Sequence, residues 1–243
     1  MVDIHCHILP QVDDGAESLA DALEMAYMAA SCGVTDLVAT PHVRGDAEDI
    51  DHAASLYRRF RQLQDAAARN NIPLRLYPGA ELLCTEETVE LARKKQLLTI
   101  GDTDYVLCEF PFHAHFFEMD EILSGIAGAG YRPIVAHPER YAAIRKDPRR
   151  ILHWFQAGYV IQVNKGSLLG AFGAPARDTA CRMLEAGLVH LIASDAHSPL
   201  RRTTDFSRLE DWLLSRYPPD YVQLLLEDNP GRVIRGREMA PVR

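Results

Sequence analysis

The chain has 243 residues, 47% hydrophobic and 25% charged, the balance of a water-soluble protein with room for one large domain or two small ones. A formal net charge of −8 leaves no polybasic surface for a nucleic-acid backbone. No stretch reaches the roughly 18 consecutive apolar residues of a membrane span, and no basic-then-apolar leader opens the chain, so neither membrane insertion nor a signal peptide is expected.

Val2–His5 reads as a short apolar strand. Side chains alternate along a strand, so His5 and His7 share a face about 7 Å apart, and Cys6 points the other way, toward the helices. Ser18–Cys32 has helical spacing, with Ser18 placed as N-cap. Then strands Leu37–Thr40, Leu74–Pro78, Tyr105–Phe110, Pro133–His137, Val160–Asn164 and Val189–Ser194 alternate with helical patterns at Ala47–Arg69, Glu86–Lys95, Met119–Ala129, Arg149–Ala157, Ala174–Ala186 and Phe206–Ser215. Gly33, Gly130, Gly158 and Gly187 fall just past helical patterns, where a left-handed C′ residue belongs. Asp228-Asn229-Pro230-Gly231 reads as a turn, followed by a loosely held basic tail. The apolar faces of Ser18–Cys32 and Ala47–Arg69 suit either core packing or a subunit interface in an oligomer.

Seven βα repeats with no long linker predict a single domain over residues 1–243. The fold class is α/β, with a parallel sheet closed into a barrel one strand short of the common eight; an open doubly wound sheet is the alternative. No glycine-rich phosphate loop follows a strand, so a nucleotide fold has no anchor. The five cysteines are scattered and form no CxxC, which suits reduced thiols in the cytoplasm. None is followed six residues later by Arg, so the CX5R loop of thiol-based phosphatases is missing.

The unusual polar residues fall at carboxyl ends of strands or in the loops beyond them. They are His5 and His7, Asp13 and Asp14, His42, Glu81, Glu109, His137, Asn164, Asp195 and His197. A parallel barrel gathers those ends at one mouth. Imidazoles and carboxylates are ligands for Zn, Mn or Fe, and this many exceed the shell of one ion. Arg140 and Arg202, with Arg201 as competitor, stand beside the ring and suit phosphate oxygens. His52, His153 and His190 lie elsewhere and read as surface or packing residues.

The ordered set Asp3-Ile4-His5-Cys6-His7, Thr40-Pro41-His42, Gly79-Ala80-Glu81, Ala136-His137-Pro138-Glu139-Arg140 and Ala193-Ser194-Asp195-Ala196-His197 resembles the PHP (polymerase and histidinol phosphatase) superfamily. Val12-Asp13-Asp14-Gly15-Ala16, Glu109-Phe110, Val163-Asn164 and the late Asp-Asn-Pro resemble, more narrowly, the bacterial tyrosine-protein phosphatases of capsule and exopolysaccharide operons. The match runs from Val2 to about Val233. The resemblance implies a distorted (β/α)7 barrel with three divalent ions, manganese foremost. His5, His7, Glu81 and Asp195 would hold one ion. Glu81, Glu109 and His137 would hold a second. His42, His197 and Asp14 (or Asp13) would hold the third, with phosphate on Arg140 and Arg202. The implied substrate is phosphotyrosine on a bacterial tyrosine autokinase, hydrolysed by a metal-activated water in the cytoplasm. Rival readings are a phosphoesterase for a small phosphate such as histidinol phosphate, and a non-catalytic metal-binding regulatory barrel. The chain departs from the narrower pattern at Phe112-His113-Ala114-His115-Phe116-Phe117, which reads as an aromatic rim loop or a second metal-binding HxH.

Overall fold

The computed structural model describes residues 1–242, except for the side chains of residues 47–52; the surface role expected of His52 therefore lies outside the described residues. The elements follow the expected alternation: β1 (Val2–Cys6), α1 (Leu19–Ser31), β2 (Asp36–Ala39), β3 (His42–Arg44), α2 (Ala47–Arg69), β4 (Arg75–Pro78), β5 (Glu81–Leu83), α3 (Glu86–Arg93), β6 (Tyr105–Glu109), α4 (Phe116–Gly128), β7 (Arg132–Ala136), α5 (Ala142–Lys146), α6 (Arg150–Gln156), β8 (Val160–Asn164), α7 (Lys165–Leu168), α8 (Ala174–Glu185), β9 (Leu191–Ala193), α9 (Ser207–Leu214), α10 (Pro219–Gln223) and α11 (Asn229–Val233). The Ser18 hydroxyl accepts from the Asp21 amide at 3.1 Å and starts α1 as expected. Gly33 and Gly158 end α1 and α6 with φ of 91° and 84°, a left-handed turn that a Cβ would oppose.

All strand pairs are parallel. The ladder runs β1-β2-β4 and β3-β5-β6-β7-β8-β9. The short strands β3 and β5 were not foreseen. They continue β2 and β4 after breaks at Thr40-Pro41 and Gly79-Ala80. Pro41 has no N–H to give, so the ladder is carried past it by Thr40 donating to the Cys6 carbonyl at 2.9 Å and Glu81 donating to that of Pro41 at 3.0 Å. The second break needs glycine, because a Cβ on Gly79 would lie 2.8 Å from Val38 Cγ1. Both restarts serve the site: His42 and Glu81 become direct cross-strand partners.

Past β9 the chain returns to β1. The Asp195 amide donates to the His5 carbonyl and the His7 amide to the Ala196 carbonyl, both at 2.9 Å, and Cys6 and Ala196 form a parallel bridge. These contacts join the end of β9 to β1.

Two apolar clusters follow from the pleat. Val38, Leu107, Ile134, Ala136, Leu191 and Ala193 pack inside the ring, while Leu37, Val106, Cys108, Val135 and Ile192 pack under the helices. Ile4 belongs to the inner cluster and Cys6 to the outer one, although they are two residues apart. The register between β1 and β2 slips between Asp3 and Cys6, so a bulge changes the parity there. Cys6 does face the helices, as alternation with His5 and His7 predicts; the bulge lets the strand place Ile4 inside as well.

The expectation at Asp228–Gly231 needs correction. A π-helical turn at Leu224–Asp228 runs straight into α11, with Pro230 in its first turn. Proline needs no amide partner there, so the dipeptide that resembled a turn starts a helix instead. The tail is also held. The Tyr105 hydroxyl donates to the Arg237 carbonyl at 2.7 Å, and the Ala240 amide donates to Asn229 Oδ1 at 2.8 Å. No described helix is long and apolar enough to cross a membrane.

Candidate metal centre

All nine expected ligand side chains come together, where β1, β6, β7 and β9 end and where β3 and β5 begin with His42 and Glu81. His5 Nε2 and His7 Nε2 lie 3.2 Å apart, and Glu81 Oε2 is 3.2 Å from each. Asp195 Oδ1 is 3.5 Å from both imidazoles. The other oxygen of Glu81 is 2.8 Å from His137 Nε2, and Oε2 also lies 3.1 Å from His42 Nδ1. Glu109 reaches His42 at 3.5 Å and His137 at 3.6 Å. Asp14 Oδ1 stands 3.5 Å from His42 Nε2 and 3.4 Å from His197 Nε2. Three overlapping groups have ligand atoms close enough to share an ion: His5, His7 and Glu81; His42, Glu81 and Glu109; and His7, Asp14, His42 and His197. The groups share His7, His42 and Glu81 and so form one continuous cluster, rather than the more separate sets first expected.

A layer of buried polar groups orients these ligands. His5 Nδ1 is 3.0 Å from Gln162 Oε1, the Gln162 amide donates to Asn164 Oδ1 at 2.8 Å, and Asn164 donates to Asp195 Oδ2. That amide relay leaves Gln162 an oxygen to offer, so a neutral His5 would carry its proton on Nδ1 and turn Nε2 to the cluster. Asp13 does the same for His7. Its carboxylate accepts from His7 Nδ1 at 2.8 Å, from the His42 amide at 2.8 Å and from the Gly15 amide at 2.9 Å. The adjacent aspartates therefore split: Asp14 faces the cluster and Asp13 stands behind it. Gly15 makes the turn possible, because a Cβ there would sit 2.1 Å from the His7 carbonyl oxygen.

The two expected arginines meet at Asp195. Arg202 Nη2 is 2.6 Å from Asp195 Oδ2, and its Nε donates to the Asp195 carbonyl at 3.2 Å. Arg140 Nη1 is 3.3 Å from the same Oδ2. Arg201 is exposed and its amide is turned to Ser198 Oγ. The Lys165 ammonium, buried beneath the Arg202 loop, donates to the carbonyls of Thr203 and Asp205. His137, Asp195 and Arg202 adopt left-handed φ of 34°, 49° and 51° without being glycine, as do Gln11, Asn71, Lys95 and Asp102 outside the cluster.

The electrostatics favour cations. Burial opposes charging His5 and His7, yet the carboxylates of Glu81 and Asp195, joined by Asp13 at His7, raise both pKa values. Burial also opposes ionising Glu81 and Asp195, yet His5 and its neighbours hold both carboxylates below the usual range. Glu109 is pushed up by burial and by the Glu81 charge. His197 is pushed down to about 3 by burial, the His7 charge and Arg202.

The remaining histidines are elsewhere. His190 is buried, stacks on Phe155 at 4.7 Å and accepts from the Ile161 amide at 3.0 Å. His153 on α6 pairs with Asp120 on α4 at 3.0 Å. Neither His113 nor His115 joins a potential ligand group among the described residues. Their loop is shorter than expected: Phe112 in it is exposed, but Phe116 and Phe117 open α4, with Phe116 buried and Phe117 exposed. Sequence reading missed Gln162, Lys165 and Phe172. Gln162 could have been found two residues before Asn164 on the same strand face; Phe172 carried no signal.

The family model for capsular polysaccharide synthesis proteins CpsB/CapC matches residues 1–235. The chain belongs to the CpsB/CapC family. It is 39% identical over 198 residues to tyrosine-protein phosphatase YwqE of Bacillus subtilis, covering 82% of this chain and 78% of that one. It is 29% identical over 239 residues to tyrosine-protein phosphatase CpsB of Streptococcus pneumoniae, covering 96% and 98%. Crystal structures of YwqE and CpsB, described as unique metal-dependent tyrosine phosphatases, include a chain that superposes with a TM-score of 0.89, 33% identity and full coverage of both chains. A putative histidinol phosphatase from Listeria monocytogenes has a TM-score of 0.53 at 11% identity, covering 87% of this chain and 99% of that one, and shares the fold alone.

The CpsB/CapC chain fits divalent ions on its own chemistry. The donors are imidazole nitrogens and carboxylate oxygens, the set that holds zinc, manganese or iron. Glu81 Oε2 is buried with no hydrogen-bond partner, and it lies between three imidazoles. A buried carboxylate oxygen left without a donor is costly unless a cation satisfies it.

Proposed function

We propose that this chain is a metal-dependent tyrosine-protein phosphatase that acts on a phosphotyrosyl protein of capsule or exopolysaccharide synthesis, a bacterial tyrosine autokinase foremost. The observation that carries the reading is the carboxylate–imidazole cluster with two guanidinium groups converging on one of its members, Asp195. Membership of the CpsB/CapC family supports the substrate class.

We assign three divalent ions, with manganese preferred. His5, His7, Glu81 and Asp195 would hold one, Glu81, Glu109 and His137 a second, and Asp14, His42 and His197 the third. The spacing of Asp14 from His42 and His197 supports Asp14 over Asp13. Bound ions would supply Lewis-acid stabilisation of phosphoryl charge and acidify a hydrolytic water. The chain's own part is orientation. Gln162 and Asp13 hold the His5 and His7 rings with Nε2 toward the cluster. Arg140 and Arg202 offer planar N–H forks at its edge, suited to the equatorial oxygens of a phosphoryl group. A tyrosyl leaving group needs less protonation than an alkoxide, because phenolate has a pKa of about 10. The five cysteines take no part: Cys6, Cys84 and Cys108 are buried, and burial raises the thiol pKa of Cys6 and Cys84.

Hydrolysis of a phosphotyrosyl peptide, measured with Mn²⁺ and after exhaustive chelation, tests the reading. Activity restored by metal is expected. Equal activity in both conditions refutes it, and a strong preference for histidinol phosphate would refute the substrate class.

A further inference from the structure

Arg140 is flanked by two phenylalanines that phosphate binding does not require. The Phe112 and Phe172 ring centroids each lie 4.4 Å from Arg140 Cζ, and Phe172 is 5.4 Å from Arg202 Cζ. The rings come from unrelated parts of the chain. Phe112 follows β6, and Phe172 lies between α7 and α8.

Both are held in place before any substrate arrives. The Phe112 carbonyl accepts from the Ala142 amide at 2.8 Å, and its ring meets His137 edge-on at 6.2 Å and Tyr141 at 6.3 Å. Phe172 sits in a tight turn in which the Ala171 amide donates to the Gly166 carbonyl at 2.8 Å. Its ring lies directly over Gly166, where a Cβ would come within 2.8 Å of Phe172 Cε2. Phe112 remains 37% exposed. Apolar ring surface left wet beside an anion site lowers its free energy by meeting an apolar part of the ligand.

A phosphoryl group bound at Arg140 and Arg202 must send its ester oxygen away from the buried carboxylates. The next atoms of a tyrosyl ester are a ring, and these two phenyl rings lie 4.4–5.4 Å from those guanidiniums. An alkyl ester offers no ring to pack against them. We propose that Phe112 and Phe172 form an aryl subsite that receives the tyrosyl ring of the substrate and selects aryl over alkyl phosphate esters. The proposal rests on the phosphatase reading and adds its specificity-determining residues.

Calorimetric titration of the metal-replete protein with phenylphosphonate and methylphosphonate tests it, since neither is turned over. The wild-type chain should bind the phenyl compound about tenfold more tightly, the size expected from one or two aromatic contacts. In Phe112→Leu and Phe172→Leu that ratio should fall toward one with methylphosphonate affinity unchanged, and Phe172→Tyr should keep it. Equal affinities in the wild type overturn the proposal. So does a parallel loss of both ligands in the leucine variants, because the rings would then serve only to hold Arg140. The wild-type comparison stands even where a variant fails to fold. Failure to hydrolyse phosphotyrosine would sink the phosphatase reading while leaving the ratio measurable; a ratio of one beside robust hydrolysis would sink the subsite alone.

Discussion

Replacing Asp13 with alanine should weaken metal binding without removing a ligand. The Asp13 side chain is 6% exposed and accepts three hydrogen bonds at 2.8–2.9 Å. Burial raises its pKa, but the His7 hydrogen bond and charge and the amides of His42 and Gly15 overcome that and hold it at about 2. It is therefore ionised at any working pH, and its bond to His7 is charge-assisted. Alanine removes the acceptor that fixes both the tautomer and the tilt of a fully buried imidazole. Loss of such an outer partner typically costs 10–100-fold in metal affinity, or about 1.4–2.7 kcal/mol. Mn²⁺ titration by calorimetry, with metal content after dialysis, reads this directly. Asp13→Asn should fall between, because its amide oxygen still accepts while the charge is gone. Asp14→Ala should lose more, through removal of a direct ligand. A folded Asp13→Ala protein with wild-type affinity, or one that loses more affinity than Asp14→Ala, would refute the division of roles.

Further outcomes concern the site and the core. Gly15→Ala should abolish activity and metal binding together, because its Cβ would overlap the His7 carbonyl; full activity in that variant would show that the Asp13–Gly15 turn can rearrange freely. Arg202→Ala should raise the inhibition constant of inorganic phosphate with metal content retained, and metal loss would contradict its assignment. His190 gives a pH dependence of stability. Burial pushes its pKa from 6.5 to about 4 in the folded chain, so the unfolded chain takes up the proton first as pH falls. The stability it contributes is present above pH 6.5 and is lost between there and about 4. At about 1.4 kcal/mol per pH unit that amounts to about 3 kcal/mol. Urea unfolding of His190→Asn should show a flatter profile across that window than the wild type, and identical profiles would exclude His190 as a source.

Much of this protein follows from short-range periodicity. The period-two strands and helical stripes yield a parallel α/β alternation, and the carboxyl ends of the strands locate His5, His7, His42, Glu81, Glu109, His137, Asp195 and His197. Those positions are legible because a parallel ring sends every strand's carboxyl end to one mouth, whatever the loops do. Asp14 against Asp13 and Arg202 against Arg201 were not legible. Neighbouring residues of one type differ only in which way a loop turns, and that depends on Gly15 packing under His7 and on Lys165 holding the carbonyls of Thr203 and Asp205. The bulge in β1, the strand restarts at His42 and Glu81, and the helix begun at Asn229 arise from contacts with distant strands. Gln162 and Phe172 acquire their places only when chain segments 157 residues apart, as His5 and Gln162 are, come within hydrogen-bond reach. Local pattern chose which residues reach the mouth of the ring; tertiary packing chose how each one points, because side-chain direction in a loop is decided by what lies against it.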